Sequence, residues 1–265
     1  MIKKSYSYSL QGKRNENEDC HININNINNQ TDTINAINLY AVFDGHGGKI
    51  VSHFLKKTLP KYFLSKNKFY LKKDIAIDYF NNVYDLLQSK LMKKHPKAVQ
   101  YCGSTACVGI HYEYLGKKYL WVLNVGDSRA IKCNKSNIVE QLTLDHKPNS
   151  LNEKKRIESL GGSINFDGFE YRIKGLSLSR AFGDIDCHPF VIYKPDIYNY
   201  TIEEDDKFII FGCDGLYDVL SNQDIGDYVN ELINNKFNGN YAKLLAEYAY
   251  NKGSMDNITC VIYFL

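Results

Sequence analysis

The chain lacks the spacings of thiol and imidazole metal sites. It has no Cys-x-x-Cys pair and no His-x-x-x-His pair, which excludes the common structural zinc patterns. Its seven cysteines are odd in number and scattered, so reduced thiols in an intracellular protein, cytoplasmic or nuclear, are expected rather than a disulfide framework. No apolar stretch approaches the ~20 residues of a membrane span, and Met1-Ile2-Lys3-Lys4-Ser5-Tyr6 lacks the apolar core of a signal peptide. Ile2 stands where N-myristoylation needs glycine, so no membrane partner is expected. Strong charge is missing too. The net charge is +3, and the basic clusters Lys93-Lys94-His95-Pro96-Lys97 and Lys154-Lys155-Arg156 are short, which reads as solvated helix ends and argues against a nucleic-acid partner.

What the chain does have is a repeated junction. Two apolar runs, Leu39-Tyr40-Ala41-Val42-Phe43 and Phe208-Ile209-Ile210-Phe211-Gly212-Cys213, end abruptly in Asp44-Gly45 and Asp214-Gly215. Such runs read as buried strands, and an aspartate at the exit of a buried strand sits at the rim of the core. A third turn, Gly253-Ser254-Met255-Asp256-Asn257, precedes a last strand over 258–265, and Glu18-Asp19 follows Arg14 near the start. Any one Asp-Gly could merely close a turn. Together, Glu18, Asp19, Asp44, Asp214 and Asp256 could share one cavity. Two like charges about 4 Å apart repel by on the order of 4 kcal/mol at an effective dielectric near 20, so a group of this kind needs protons or cations. An all-oxygen donor set favours hard ions, Mg²⁺ or Mn²⁺, over zinc.

The surroundings of these acids carry a resemblance. Arg14-Asn15-Glu16-Asn17-Glu18-Asp19, Phe43-Asp44-Gly45-His46-Gly47-Gly48, Gly103-Ser104-Thr105-Ala106, Gly126-Asp127-Ser128-Arg129-Ala130, Ser179-Arg180-Ala181-Phe182-Gly183-Asp184, Asp214-Gly215-Leu216-Tyr217-Asp218-Val219 and Asp256-Asn257-Ile258-Thr259 occur in the order of the metal-dependent protein serine/threonine phosphatases of type 2C, which the chain resembles from about residue 14 to 265. The resemblance implies that Asp44 bridges two metal ions and Gly45 offers its backbone carbonyl. It implies further that Asp214 and Asp256 hold the other ion, and that Glu18 and Asp19 ligate directly or through water. It implies hydrolysis of phosphoserine and phosphothreonine by a water bridging two divalent ions roughly 3.5 to 4 Å apart. Arg14 would grip two phosphate oxygens, and His46, beside the metals, would protonate the departing alcohol. Taken alone, an exposed arginine and a structural histidine are the ordinary readings of both. Asp127 and Asp218 occupy positions where relatives can place ligands of a third, loosely held ion, or they could be hydrogen-bonded for shape.

Other mechanisms have less in their favour. No cysteine has an arginine six positions downstream, which removes the loop in which thiolate and arginine share a phosphate. A pseudophosphatase that binds phosphoproteins without turnover is the alternative, opposed by Arg14, Asp44, His46, Asp214 and Asp256 being in place. A phosphodiesterase or nuclease would be expected to carry a basic groove that this charge balance does not show. Phosphoprotein substrates are the expected partners, of a monomer. With essentially no extension beyond the catalytic region, regulation is expected on this surface or in trans.

The remainder reads as scaffold. Ile75, Tyr79, Phe80, Val83, Leu86, Leu87 and Leu91 recur at helical spacing and predict a core-facing helix over 74–94, ended by Pro96. Ser221 with Asp224 forms a capping-box pattern before Ile225, Tyr228, Val229, Leu232 and Ile233, and another helix carries Leu244, Leu245 and Tyr248 before Gly253. Strands over 105–114 and 118–124 flank Leu115-Gly116-Lys117, a hairpin signal. A helix over 150–160, stopped by Gly161-Gly162, leads into a segment of few apolar runs; by resemblance residues 145–196 form the flap beside the active site. Asn165-Phe166-Asp167-Gly168 is read as a β-turn rather than a calcium loop, because Ser163 and Lys174 fall where acids should be. The asparagine- and isoleucine-rich stretch 22–38 is read as an inflated hairpin or loop. The expected fold is α+β: a four-layer sandwich, two antiparallel sheets face to face with helices outside, as the resemblance implies, in one catalytic domain over 1–265.

Overall fold

The computed structural model describes residues 4–27, 34–63 and 72–265. In strands β3 (Ile34–Phe43) and β14 (Asp206–Gly212), the runs Leu39 to Phe43 and Phe208 to Phe211 are apolar without alternation because both of their faces are covered. Tyr40 and Val42 of β3 meet Ile209 and Phe211 of β14 in the space between two sheets. The residues between them in sequence point the other way: Leu39, Ala41 and Phe43 toward one helical layer, Phe208 and Ile210 toward the other. The period of two along each strand therefore builds the layers.

One sheet has the order β1 (Ser5–Leu10), β15 (Ile258–Phe264), β14, β8 (Arg129–Asn134), β9 (Val139–Gln141); the other has β13 (Asp196–Ile202), β7 (Lys117–Val125), β6 (Ala106–Tyr114), β3, β2 (Cys20–Ile27). All neighbours in both are antiparallel. Helices α1 (Ile50–Thr58) and α3 (Lys73–Lys94) cover the second sheet, and α6 (Asn222–Asn234) and α7 (Tyr241–Asn251) cover the first. The expected four-layer sandwich is present.

Details depart from the expectation for stated reasons. The buried stripe of α3 is Ala76, Phe80, Val83, Tyr84, Leu87, Gln88 and Leu91, and Ile75 and Leu86 fall one position off it, 51% and 42% exposed. The β6–β7 turn is two residues, Leu115 and Gly116, both at positive φ, so Lys117 already pairs with Tyr114. Ser221 accepts from the Asp224 N–H while the Asp224 carboxylate accepts from the Ser221 N–H, so the capping box forms as read. Helix α4 (Leu151–Ser159) stops as expected, its last carbonyls taken by Gly161 and Gly162. Asp167 caps a turn between β10 (Asn165–Phe166) and β11 (Tyr171–Arg172), accepting from the Phe169 and Glu170 N–H groups. The stretch 22–38 pairs β2 with β3 as a hairpin whose residues 28–33 lie outside the described ones. All seven cysteines are free thiols, and no described helix is long and apolar enough to cross a membrane.

Candidate metal centre and active site

Both Asp-Gly junctions open at the same end of the sandwich. Asp44 leaves β3 and its backbone is clamped by Thr105, whose hydroxyl accepts from the Asp44 N–H at 3.0 Å and whose N–H donates to the Asp44 carbonyl at 2.8 Å. Asp214 begins the short helix α5 (Asp214–Tyr217) directly after β14. Asp256 lies in the turn before β15, and Asn257 beside it ties the N-terminal loop into place. The Asn257 side chain accepts from the Glu18 N–H at 2.9 Å and donates to the carbonyls of Gln11 and Glu16 at 2.8 and 2.9 Å. These contacts bring Glu18 across 239 residues of sequence.

The result is a cavity of about 610 Å³ lined by Arg14, Glu18, Asp44, Gly45, His46, Asp127, Asp214, Asp218 and Asp256, among others. Asp19 is the exception: it lies buried rather than on the cavity wall, and both its carboxylate oxygens lack a hydrogen-bond partner among the described residues. A Cβ at Gly45 would collide with the Glu18 carbonyl and the Ser52 hydroxyl, so only glycine lets these two backbones meet.

Crowding of like charge dominates the electrostatics. Burial, then Asp214 and Asp19, hold the Asp44 carboxyl well above the usual range. Burial with Asp127 and Asp218 raises Asp214 to about 8, and burial with Asp256 raises Asp19 to about 6. Asp218, on the cavity wall, is also raised, by partial burial of its carboxylate and by Asp127, which together outweigh the Lys147 ammonium. Acids in this state bind protons unless cations replace them, as an oxygen-donor set for hard ions does. Ligand atoms of Asp44, Asp214 and Cys213 lie within 4.8 Å of one another. The Cys213 thiol is not a competitor for hard ions, because burial beside Asp19, Asp44 and Asp214 pushes it well above its ordinary value. Its sulfur is also engaged by the Asn257 carbonyl and the Thr259 N–H.

Two side chains read from the sequence are held by partners that it did not reveal. His46 Nε2 lies 2.7 Å from Asp184 Oδ2, the Asp184 side chain being 2% exposed. Burial disfavours charge on the imidazole, but the Asp184 hydrogen bond and charge, with Asp127 and Glu18, outweigh it and raise the His46 pKa. The pair fits only because residue 103 is glycine; a Cβ there would strike both His46 Nε2 and the Asp184 carboxylate. Gln88 of α3 grips the neighbouring Gly183 through its backbone N–H at 3.1 Å, fixing Asp184 in the left-handed conformation, φ 47°. Asp127, in turn, is paired with the Lys147 ammonium at 2.5 Å. Arg14 stands at the mouth, 60% exposed, with Nη2 on Asp256 Oδ2 at 2.6 Å.

Known proteins share this plan. A sequence model of the family described as protein phosphatase 2C matches residues 5–258. The chain is 36% identical over 263 residues to a probable protein phosphatase 2C 45 of Oryza sativa subsp. japonica, covering 98% of this chain and 87% of that one. It is 35% identical to a probable protein phosphatase 2C 59 of Arabidopsis thaliana, covering 98% and 79%. Among solved structures, a C. elegans sex determining protein superposes with a TM-score of 0.85 at 29% identity, over 98% of this chain and 64% of that one. The serine-threonine phosphatase 2C of Toxoplasma gondii, at 23% identity, shares the fold with a TM-score of 0.84 over 98% and 94%. An acid-lined cavity at the open end of a four-layer sandwich, and a sequence matched almost end to end, make this chain a member of the protein phosphatase 2C family.

Proposed function

We propose that the chain is a divalent-metal-dependent phosphatase acting on phosphoserine and phosphothreonine in proteins. Asp44, the Gly45 carbonyl, Asp214 and Asp256 would hold two Mg²⁺ or Mn²⁺ ions, with Glu18 and Asp19 contributing directly or through water. The observation that carries the reading is the set of crowded carboxylates with raised pKa values above an Asp19 whose buried oxygens have no partner. Bound divalent ions supply acidified water as nucleophile and neutralise charge during phosphoryl transfer.

The chain's own side chains then divide the remaining work. Arg14 has further N–H groups without a partner among the described residues, aimed from the cavity mouth, and a planar guanidinium can take two phosphate oxygens at once. His46 keeps its proton because of Asp184, which suits a general acid for a serine or threonine oxygen, a poor leaving group. Asp184 occupies Nε2, so Nδ1 is the nitrogen left to deliver the proton. A third ion at Asp127 and Asp218 would compete with the Lys147 ammonium already on Asp127.

The deciding experiment is phosphate release from a phosphothreonine peptide, titrated with magnesium and with manganese and repeated with chelator. Metal-dependent release is expected. A chain that binds the peptide and stays inert with every ion would be the phosphoprotein-binding alternative instead.

A further inference from the structure

A second concavity adjoins the first. Its volume is about 510 Å³, and Arg172 lines both it and the acid-lined cavity, so the two meet at one guanidinium. Arg172 is fixed there: it pairs with Asp167 across the β10–β11 hairpin, donates to the Gly175 carbonyl at 3.1 Å and approaches Glu170 at 3.4 Å. The far wall carries Lys174 and Phe190, the Lys174 ammonium lying 5.9 Å from the Phe190 ring centroid. Arg172 has its carboxylates, whereas exposed Lys174 has none among the described residues.

The position of Lys174 is also unusual. Ile173 and Leu176 exchange backbone hydrogen bonds at 3.0 Å, closing a two-residue turn over Lys174 and Gly175, and both turn residues have positive φ, 52° and 90°. Glycine or asparagine fills the first position of such a turn at lower cost than lysine. The turn is anchored rather than loose, because Ile173 is buried with Ile157, Leu178, Ala181 and Val191 in a small core of its own. A cation is thus held out over a cavity, on a rigid support, at some backbone cost.

We propose that this concavity is a subsite for the protein substrate, in which Lys174 receives a carboxylate side chain flanking the phosphorylated residue. The inference rests on the phosphatase reading and deepens it by naming a substrate preference. Continuity through Arg172 lets a peptide whose phosphoresidue enters the acid-lined cavity run on into the second one. Charge selects what it carries: Arg172 is already held by Asp167 and Glu170, which leaves Lys174 as the cation of this lining able to meet a carboxylate. The backbone carbonyls and hydroxyls of this wall offer no comparable discrimination between an acidic and a basic neighbour.

The test uses the manganese-loaded chain and phosphothreonine peptides in which a single aspartate, or a lysine in its place, is walked along both flanks. At one flank, kcat/KM is expected to favour the aspartate peptide by about fivefold, the upper range for a part-exposed ion pair. The ratio falls to about unity or below in Lys174→Glu and toward unity in Lys174→Gly, which relieves the left-handed backbone and so separates charge from folding. Because the readout is a ratio between two peptides, a loss common to both cancels. The same pairs bearing a non-hydrolysable phosphonate give binding ratios by fluorescence anisotropy, independently of turnover. A ratio near unity at every position in the unaltered chain, or one unchanged by Lys174→Glu, overturns the subsite. Absence of phosphate release with the binding ratio intact overturns the phosphatase reading and leaves the subsite standing.

Discussion

The carboxylates of the cavity and those of residues 145–196 are the same chemical group under opposite electrostatics. Around Asp44, Asp214 and Asp19, acids face acids, and burial with like charge raises all three. In α4, burial pushes Glu153 up, but the Arg180 and Arg156 guanidiniums outweigh it and hold the carboxyl at about 2. The His146 hydrogen bond, with Arg180, likewise holds Asp196 at about 2. One region gives up folding free energy by crowding acids without countercharge; the other recovers it through satisfied pairs. The difference teaches that Glu153 and Asp196 hold shape, whereas the cavity acids are left without countercharge, as the proposed cation site requires.

Breaking the cavity has the largest expected effect. Asp44→Asn or Asp214→Asn should lower activity by more than about a hundredfold, since even partners of metal ligands are worth 10- to 100-fold. A metal titration of turnover checks this, and recovery of the unaltered rate at the same metal concentration contradicts it. In chelator the same variants should melt no lower than the unaltered protein. An acid whose folded pKa is raised loses stability as pH climbs from its unfolded value, about 4, through its folded one. For Asp214 that window closes at about 8, and Asp214→Asn should flatten the fall.

His46→Ala comes next. A general acid contributes about 10²- to 10⁴-fold, so phosphopeptide turnover should fall by at least about a hundredfold. An aryl phosphate, whose leaving group needs no proton, should lose far less. Equal losses on both substrates discard the acid role. Asp184→Asn should give a smaller version of the same split, about tenfold on phosphopeptide, because it removes the orienting anion but not the imidazole.

The comparison at Glu153 is sharpened by stability rather than rate. Glu153→Gln is expected to cost on the order of 3 kcal/mol at neutral pH, seen in chemical denaturation. Glu153 has a depressed folded pKa, so its contribution is complete above about 4.5 and is lost as pH falls toward about 2. The unaltered protein should therefore lose stability over that acid window more steeply than Glu153→Gln. Parallel curves would mean that the Glu153 pairs add nothing.

Much of this was legible in the residues. The Asp44 and Asp214 junctions could be read because an apolar run ending in Asp-Gly is a local event, decided by strand burial and turn chemistry within a few residues. The same holds for Ser221 with Asp224 and for the glycines after α4. Less local claims fared unevenly. Helical spacing found α3 but not its buried stripe, since a repeat of 3.6 leaves the direction of the face open by a position, and Ile75 and Leu86 went to solvent. Asp184, Asn257 and Lys147 had no signal of their own: two sat inside motifs without an evident task, and Lys147 belonged to none.

By itself, then, the sequence determined the strands, the turns at their ends, and which acids would stand at the rim of a core. These follow from short-range steric preference and from the drive to bury apolar side chains. Only the tertiary structure decided that Asp184 would hold His46 across 138 residues, that Asn257 would bring Glu18 to Asp256, that Lys147 would take Asp127, and that Asp19 would lie buried off the cavity wall. Those outcomes depend on which ends of separate strands face one another. That is fixed when two sheets pack, and electrostatic pairing over a few ångströms leaves no trace in spacing along the chain.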